Sequence, residues 1–212
     1  MILIDKPAGM SSFGVVAKVR GRLKAELGHK VKVGHTGTLD PFATGLLILL
    51  SGKMTKKSGE FLKLDKEYVA TLKLGYVSTT GDPEGEIRQC SKEKSVLEEI
   101  ESIIQLFVGE IEQIVPKYSA VKINGRRAYD LARKGEDFET PTRKVTIYSI
   151  EILKYEYPEL TIRCELSSGT YIRTLAEDIG KKLGVGAYLT ALRRTKVGKY
   201  KVEDAVKLED FI

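Results

Sequence analysis

The sequence predicts an α+β fold, because segments of strand and helix periodicity follow one another without a regular alternation. Alternating apolar residues predict a half-buried strand at 68–74, and strands are also predicted at 142–155 and 160–166. Apolar residues at helical spacing predict helices at 92–107 and 174–183. Helices and strands are therefore mixed along the whole chain.

The remaining elements lie near the two ends of the chain. Ser11 or Ser12 caps a predicted helix that continues to about Leu27. The run 46–50 is entirely apolar and is bounded by glycines, which fits either a buried strand or a helix. Residues 187–194 are predicted as a shorter helix.

Composition excludes several classes of protein. The 212 residues are 42% hydrophobic and 30% charged, which is typical of a globular chain and not of a disordered one. No apolar run approaches the ~20 residues of a membrane helix, and no signal peptide is recognisable. Two cysteines and two histidines do not predict a disulfide framework or a zinc site. We expect a cytosolic, reduced protein, and the net charge of +6 favours a polyanionic partner such as nucleic acid.

Glycine motifs for cofactors are incomplete. Residues 45–53 end in Ser-Gly-Lys but have the wrong spacing for a phosphate loop, and Met54 stands where Ser or Thr would hold magnesium. Gly184 and Gly186 lack the third glycine of a dinucleotide fingerprint. The sequence therefore predicts neither ATP nor NAD chemistry.

The most unusual stretch is 34–45, which reads Gly-His-Thr-Gly-Thr-Leu-Asp-Pro-Phe-Ala-Thr-Gly. Its glycines, proline and threonines predict a loop, and this loop leads directly into the apolar run at 46–50. A loop anchored on a core element is a good platform for a functional group. Asp40 could be that group or a turn residue that bonds its own backbone, and His35 could be an ordinary loop histidine.

This loop resembles the signature of the TruB family of tRNA pseudouridine synthases, whose core is Gly-His-x-Gly-x-Leu-Asp-Pro-x-Ala-x-Gly. Every fixed position of that pattern is present. Further blocks agree with the family in order, and they lie at 3–12, 66–68, 81–85, 116–122, 168–175 and 192–194. The match runs from Leu3 to about Tyr200, which is nearly the whole chain.

The resemblance implies a pseudouridine synthase fold, with a central mixed, largely antiparallel sheet flanked by helices. It implies isomerisation of the T-loop uridine of tRNA (position 55) to pseudouridine, without a cofactor or a metal. We expect residues 1–212 to form one catalytic domain that acts as a monomer, with the family's C-terminal RNA-binding domain absent or truncated.

The resemblance also implies the site residues. Asp40 is the essential carboxylate, Arg173 is the partner that keeps it ionised, and Tyr68 stacks on the uracil and is a candidate for removing the C5 proton. On periodicity alone, Tyr68 would be a core strand residue. The implied substrate-binding residues are His35, which fills the space of the extruded base, Tyr171 and Leu192, which line the uracil pocket, and Lys6 and Asp82, which are structural or RNA-contacting supports.

Three basic clusters are expected to contact RNA phosphates, although each could simply be a solvated face. They are Lys53-Lys56-Lys57, Lys122-Arg126-Arg127-Arg133 and Arg193-Arg194-Lys196. Two other functions stay open at this point. The chain could be a tRNA-folding helper in which catalysis is secondary, or a related synthase with a different RNA target.

Overall fold

The computed structural model describes all residues 1–212, which form two compact units. Unit 1 comprises Met1–Val69 and Ala191–Ile212, and unit 2 comprises Ala70–Thr190. The strands, in chain order, are β1 (Ile2–Lys6), β2 (Val33–His35), β3 (Thr44–Ser51), β4 (Lys66–Leu74), β5 (Tyr76–Ser78), β6 (Ile87–Gln89), β7 (Gly109–Ile114), β8 (Lys122–Ile123), β9 (Arg126–Arg127), β10 (Thr142–Glu156), β11 (Glu159–Leu166), β12 (Ala187–Val197), β13 (Tyr200–Lys201) and β14 (Val206–Lys207).

Six α-helices accompany these strands. They are α1 (Ser12–Leu27), α2 (Ser58–Leu62), α3 (Leu97–Gln105), α4 (Ala128–Arg133), α5 (Ile172–Lys182) and α6 (Leu208–Phe211). None of them has the length and apolar composition required to cross a bilayer. Since helices and strands alternate irregularly, the predicted α+β class is confirmed.

Strand β3 is the centre of unit 1. It pairs antiparallel with β1 and β2 and parallel with β12, and β14 adds to β1 in parallel. Both faces of β3 are covered, which explains why residues 46–50 are all apolar. One face joins a core cluster with α1, and the other joins Phe61, Val197 and Val202.

Helix α1 begins and ends where the sequence predicts. The Ser11 hydroxyl accepts a hydrogen bond from the Gly14 N–H at 3.0 Å, which satisfies one of the free donors of the first turn. The helix ends at Gly28, whose φ of 72° is a left-handed cap. Val15, Val16 and Val19 are buried against the sheet.

Unit 2 is organised on a long antiparallel hairpin. Strands β10 and β11 pair with each other, and β7 pairs antiparallel with β10. In the part of β4 that belongs to this unit, Ala70, Leu72 and Leu74 are fully buried, as the alternating pattern predicts. Helix α5 contacts both α3 and β7.

Two sequence predictions need correction. The helix predicted at 187–194 is wrong, because these residues belong to strand β12. Ala, Leu and Arg favour a helix locally, but the pairing of β12 with β3 and β13 and the burial of most apolar side chains override that preference. Helix α3 begins at Leu97 rather than at 92, after the extended residue Val96.

Candidate active site

Asp40 lies in the loop of unit 1 that joins β2 to β3, so the predicted loop is confirmed. Residues 36–43 have no regular secondary structure, and Asp40 is half-buried. Its backbone carbonyl accepts the Ala43 N–H at 3.1 Å, which closes a turn around Pro41. Asp40 is therefore a turn residue by its backbone, and its carboxylate is carried by a short and constrained segment.

Arg194 of β12 holds the first half of this loop. Its side chain is buried, and Nε donates to the Leu46 carbonyl oxygen at 2.8 Å. Nη2 donates to the Gly37 carbonyl at 3.2 Å, with a weaker contact from Nη1 to the Thr38 carbonyl at 3.5 Å. The expectation that Arg194 contacts RNA phosphates is therefore wrong, because its guanidinium is used inside the protein.

Ser12 and Lys6 hold the residues on either side of Asp40. The Ser12 hydroxyl accepts the Leu39 N–H at 2.8 Å and donates to the Leu39 carbonyl at 2.9 Å. The fully buried Lys6 donates from Nζ to the Pro7 carbonyl at 2.8 Å and to the Pro41 carbonyl at 3.1 Å. The backbone is thus hydrogen-bonded immediately before and immediately after Asp40, which restricts the positions that the carboxylate can take.

Gly45 ends the loop at a place where a side chain does not fit. Its φ is +100°, and a Cβ atom there would lie 2.3 Å from the Arg194 carbonyl oxygen. The glycine therefore permits the close approach of β3 to β12. The same approach brings the Arg194 side chain to the loop.

His35, Tyr68 and Leu192 are the other predicted site residues of unit 1. His35 is the half-buried last residue of β2, and its Nδ1 accepts the Gly37 N–H at 3.4 Å. Tyr68 and Leu192 lie on β4 and β12, and each is 8% exposed. Tyr68 therefore has the burial of a core strand residue, as its periodicity predicts.

Buried positive charge is a further property of unit 1. Burial lowers the pKa of Lys66 to about 8, and the positive charge of Arg194 acts in the same direction. The ammonium group of Lys66 donates to the Leu62 and Leu64 carbonyls.

Arg173 lies in the first turn of α5 in unit 2 and is 6% exposed. Its Nη1 lies 3.4 Å from Oδ2 of the buried Asp82 and donates to the Thr80 carbonyl at 3.1 Å, while Nη2 donates to the Tyr118 carbonyl at 2.7 Å. A cation near a helix N-terminus is electrostatically unfavourable, and the Asp82 carboxylate compensates for it. Asp82 is itself fixed, because Oδ1 accepts the Glu84 N–H at 3.0 Å.

Tyr171 precedes α5 as its N-cap residue and is half-buried. The side-chain amide of Gln113, on β7, bonds the Tyr171 backbone at two points. Neither Gln113 nor Ser12 was expected to serve the site. Ser12 is predicted as a possible helix cap and lies in the family block at 3–12, and nothing in the sequence pattern marks Gln113.

Within each unit the structure brings some predicted site residues together. In unit 1, Lys6 is joined to the Asp40 loop, and in unit 2, Asp82 is joined to Arg173. Of the expected phosphate-binding cluster at 193–196, Arg193 pairs with Asp5 and Lys196 pairs with Glu67. No group of three or more His, Cys, Asp or Glu side chains is arranged to hold a metal ion.

Comparison with known proteins identifies the family. Residues 23–172 match the profile of the TruB family pseudouridylate synthase N-terminal domain, and residues 173–212 match that of the tRNA pseudouridylate synthase B C-terminal domain. The chain is 48% identical over 213 residues to tRNA pseudouridine synthase B of Phocaeicola vulgatus, which covers 100% of this chain and 91% of the relative. It is 46% identical to the protein of that name from Aquifex aeolicus, covering 100% of this chain and 72% of the relative.

Solved structures agree with this assignment. A chain of the Cbf5-Nop10-Gar1 complex superimposes with a TM-score of 0.75 at 33% identity, covering 99% of this chain and 52% of that one. A chain of an H/ACA RNP bound to a substrate RNA gives a TM-score of 0.71 at 31% identity, covering 99% of this chain and 51% of that one. This chain thus spans about half the length of those two solved chains. The likeness confirms the predicted fold, and the chain belongs to the TruB family of pseudouridylate synthases.

Proposed function

We propose that this chain is a tRNA pseudouridine synthase that converts the T-loop uridine to pseudouridine, with Asp40 as its essential carboxylate. The observation that carries the proposal is the loop at 36–43, which buried side chains of Arg194, Ser12 and Lys6 hold by its backbone. A reaction at one atom of the substrate requires a carboxylate that is held in a fixed position, and a loop with a restrained backbone holds the Asp40 carboxylate in this way. Relatives 48% and 46% identical to this chain are named for that activity.

The reaction is an isomerisation. The bond from uracil N1 to ribose C1′ breaks, the ring turns, and a new bond forms from C5 to C1′. The proton on C5 leaves, and N1 gains a proton. Nothing is oxidised and no group is transferred, so the reaction needs no cofactor. The ionised Asp40 carboxylate acts by adding to the sugar, by adding to the ring or by removing a sugar proton.

Arg173 and Tyr68 complete the proposed catalytic set. Arg173 supplies the positive charge that keeps the reacting carboxylate ionised, and its contacts with Asp82 and two carbonyls hold that charge in place. Tyr68 stacks on the uracil and is the proposed acceptor of the C5 proton. Tyr171 and Leu192 line the uracil pocket.

The T-loop base is stacked in the free tRNA, so the enzyme must extrude it, which costs a few kcal/mol. We propose that His35 fills the space that the base leaves. The exposed basic residues at 53–57 and 122–133 are the proposed phosphate contacts. We propose that the chain acts as a monomer in the cytoplasm with tRNA as its partner.

The test compares Asp40→Asn and Asp40→Ala with the wild type on unmodified tRNA, with pseudouridine mapped by chemical labelling. Asp210→Asn is the matched control, because Asp210 is an exposed acidic residue of α6. We expect both Asp40 variants to lose about 1000-fold or more in rate while they bind tRNA as tightly as the control.

Two results would contradict the proposal. If Asp40→Asn converts uridine at the rate of Asp210→Asn, Asp40 is not essential. If the wild type binds tRNA and converts no uridine, the chain is a tRNA-folding helper rather than an enzyme.

A further inference from the structure

Gln113 is a buried polar residue to which the reaction assigns no role. It lies on β7 and is 1% exposed. Its Oε1 accepts the Tyr171 backbone N–H at 3.0 Å, and its Nε2 donates to the Tyr171 carbonyl at 3.3 Å. We propose that Gln113 is a positioning residue for pseudouridine formation, which sets the place of Tyr171 and of Arg173 two residues later. The inference rests on the proposed function.

Helix α5 needs such a partner because its own sequence does not cap it. Tyr171 is the N-cap residue, with φ −102° and ψ 112°, and its side chain makes no capping hydrogen bond. The first turn contains no acidic residue, and it carries the cation of Arg173. Local sequence therefore disfavours a helix start at this point, and contacts from elsewhere in unit 2 hold it.

The segment that supplies these contacts is β7 and the residues that follow it. Gln113 bonds Tyr171, and the Tyr118 carbonyl, five residues further on, accepts from Arg173 at 2.7 Å. A shift of Gln113 relative to α5 would therefore change the positions of both functional residues. The two-point amide contact resists such a shift, because it holds both the N–H and the carbonyl of Tyr171 and so fixes the backbone there in orientation as well as in distance.

A second hydrogen bond between α5 and β7 provides a control variant. Thr174 Oγ1 donates to the Ile114 carbonyl at 3.3 Å. Thr174 is buried like Gln113, and its hydrogen bond links the same helix and strand. It does not involve the Tyr171 peptide. Thr174→Val therefore removes a bond between α5 and β7 without removing the contact that we consider functional.

The experiment measures single-turnover rate, tRNA affinity and the urea midpoint for the full chain and for Gln113→Ala, Gln113→Glu and Thr174→Val. We expect Gln113→Ala to lower the rate about 100-fold with tRNA affinity within a few-fold of the wild type. Thr174→Val should lower the urea midpoint and leave the rate within about two-fold of the wild type, because the hydrogen bond that it removes involves neither Tyr171 nor the Arg173 guanidinium.

Gln113→Glu gives a readout that a loss of stability would not produce. A protonated glutamic acid can accept from the Tyr171 N–H and donate to its carbonyl, as the amide does, whereas a carboxylate only accepts. The ratio of the variant rate to the wild-type rate should therefore rise as the pH falls. This variant also decides the question if Gln113→Ala does not fold.

Three results would overturn the inference. One is a wild-type rate in Gln113→Ala, another is an equal loss of rate in Thr174→Val, and the third is a pH-independent ratio for Gln113→Glu. An inactive wild type that still binds tRNA would instead refute the proposed function itself, so the two failures are distinguishable.

Discussion

Arg193 and Arg194 are adjacent, identical in type and placed in opposite environments, so replacing each with methionine tests the account of the Asp40 loop. Arg194 is 3% exposed and donates to backbone carbonyls of the loop and of β3. Arg193 forms a two-point ion pair with Asp5 at 3.0 and 2.7 Å, and its side chain is 41% exposed. We expect Arg194→Met to impair both stability and rate, and Arg193→Met to affect stability only slightly.

The magnitude follows from the groups left without donors. Arg194→Met removes a hydrogen-bond donor from the buried Leu46 carbonyl and from the half-buried Gly37 carbonyl, at about 1–3 kcal/mol each. The Thr38 carbonyl, at 3.5 Å, adds little. We therefore expect the free energy of unfolding to fall by about 3 kcal/mol, against at most about 1 kcal/mol for the partly exposed pair of Arg193. A domain with a typical ~5–15 kcal/mol of stability remains folded after that loss.

Urea denaturation at neutral pH measures the stability of each variant, and pseudouridine formation in excess enzyme measures the rate. Because Arg194 holds the backbone that carries Asp40, we expect the rate of Arg194→Met to fall about 100-fold after correction for the fraction of the variant that is unfolded. Arg194→Lys keeps the charge and can still reach a carbonyl, so it should recover part of both properties. Arg193→Met should retain the wild-type rate per bound tRNA.

The reasoning is refuted if the two methionine variants lose equal stability, or if Arg194→Met is destabilised but turns over tRNA at the wild-type rate. The first outcome would mean that the buried hydrogen bonds contribute no more than a surface ion pair. The second would mean that the loop keeps its position without the guanidinium.

Two further predictions concern stability in unit 1. Gly45→Ala should be strongly destabilising in urea denaturation, because the new Cβ would lie 2.3 Å from the Arg194 backbone oxygen. The control Gly52→Ala has φ +57° and nothing within 4 Å of the new Cβ, so it should lose only about 1 kcal/mol of stability. Similar losses in the two variants would argue against the close approach of β3 to β12. Burial lowers the pKa of Lys66 to about 8 in the folded state, whereas a lysine in the unfolded chain has a pKa of 10.5. As the pH rises, the folded state therefore loses this proton at a lower pH than the unfolded chain does. The free energy of unfolding of the wild type, relative to Lys66→Met, should therefore rise by about 2 kcal/mol between pH 8 and 10.5, and a pH-independent difference would contradict the lowered pKa.

Local pattern was sufficient for elements whose burial follows a simple period. The cap at Ser11, the strand at Lys66–Leu74 and the two strands of the long hairpin all lie where the sequence predicts them. Residues 187–194 of β12 favour a helix locally, and only the pairing of this strand with β3 reverses that preference.

The family could be assigned from the amino-acid sequence alone, because the loop around Asp40 and the block around Arg173 are each continuous in the chain. The side chains that hold these two segments become visible only in the folded chain. Arg194 reaches the Leu46 carbonyl across 148 residues, and Gln113 reaches Tyr171 across 58. Burial and hydrogen-bond partners of this kind depend on which strands pair in the fold. For that reason Arg193 forms a partly exposed ion pair, whereas its neighbour Arg194 donates to the buried Leu46 carbonyl.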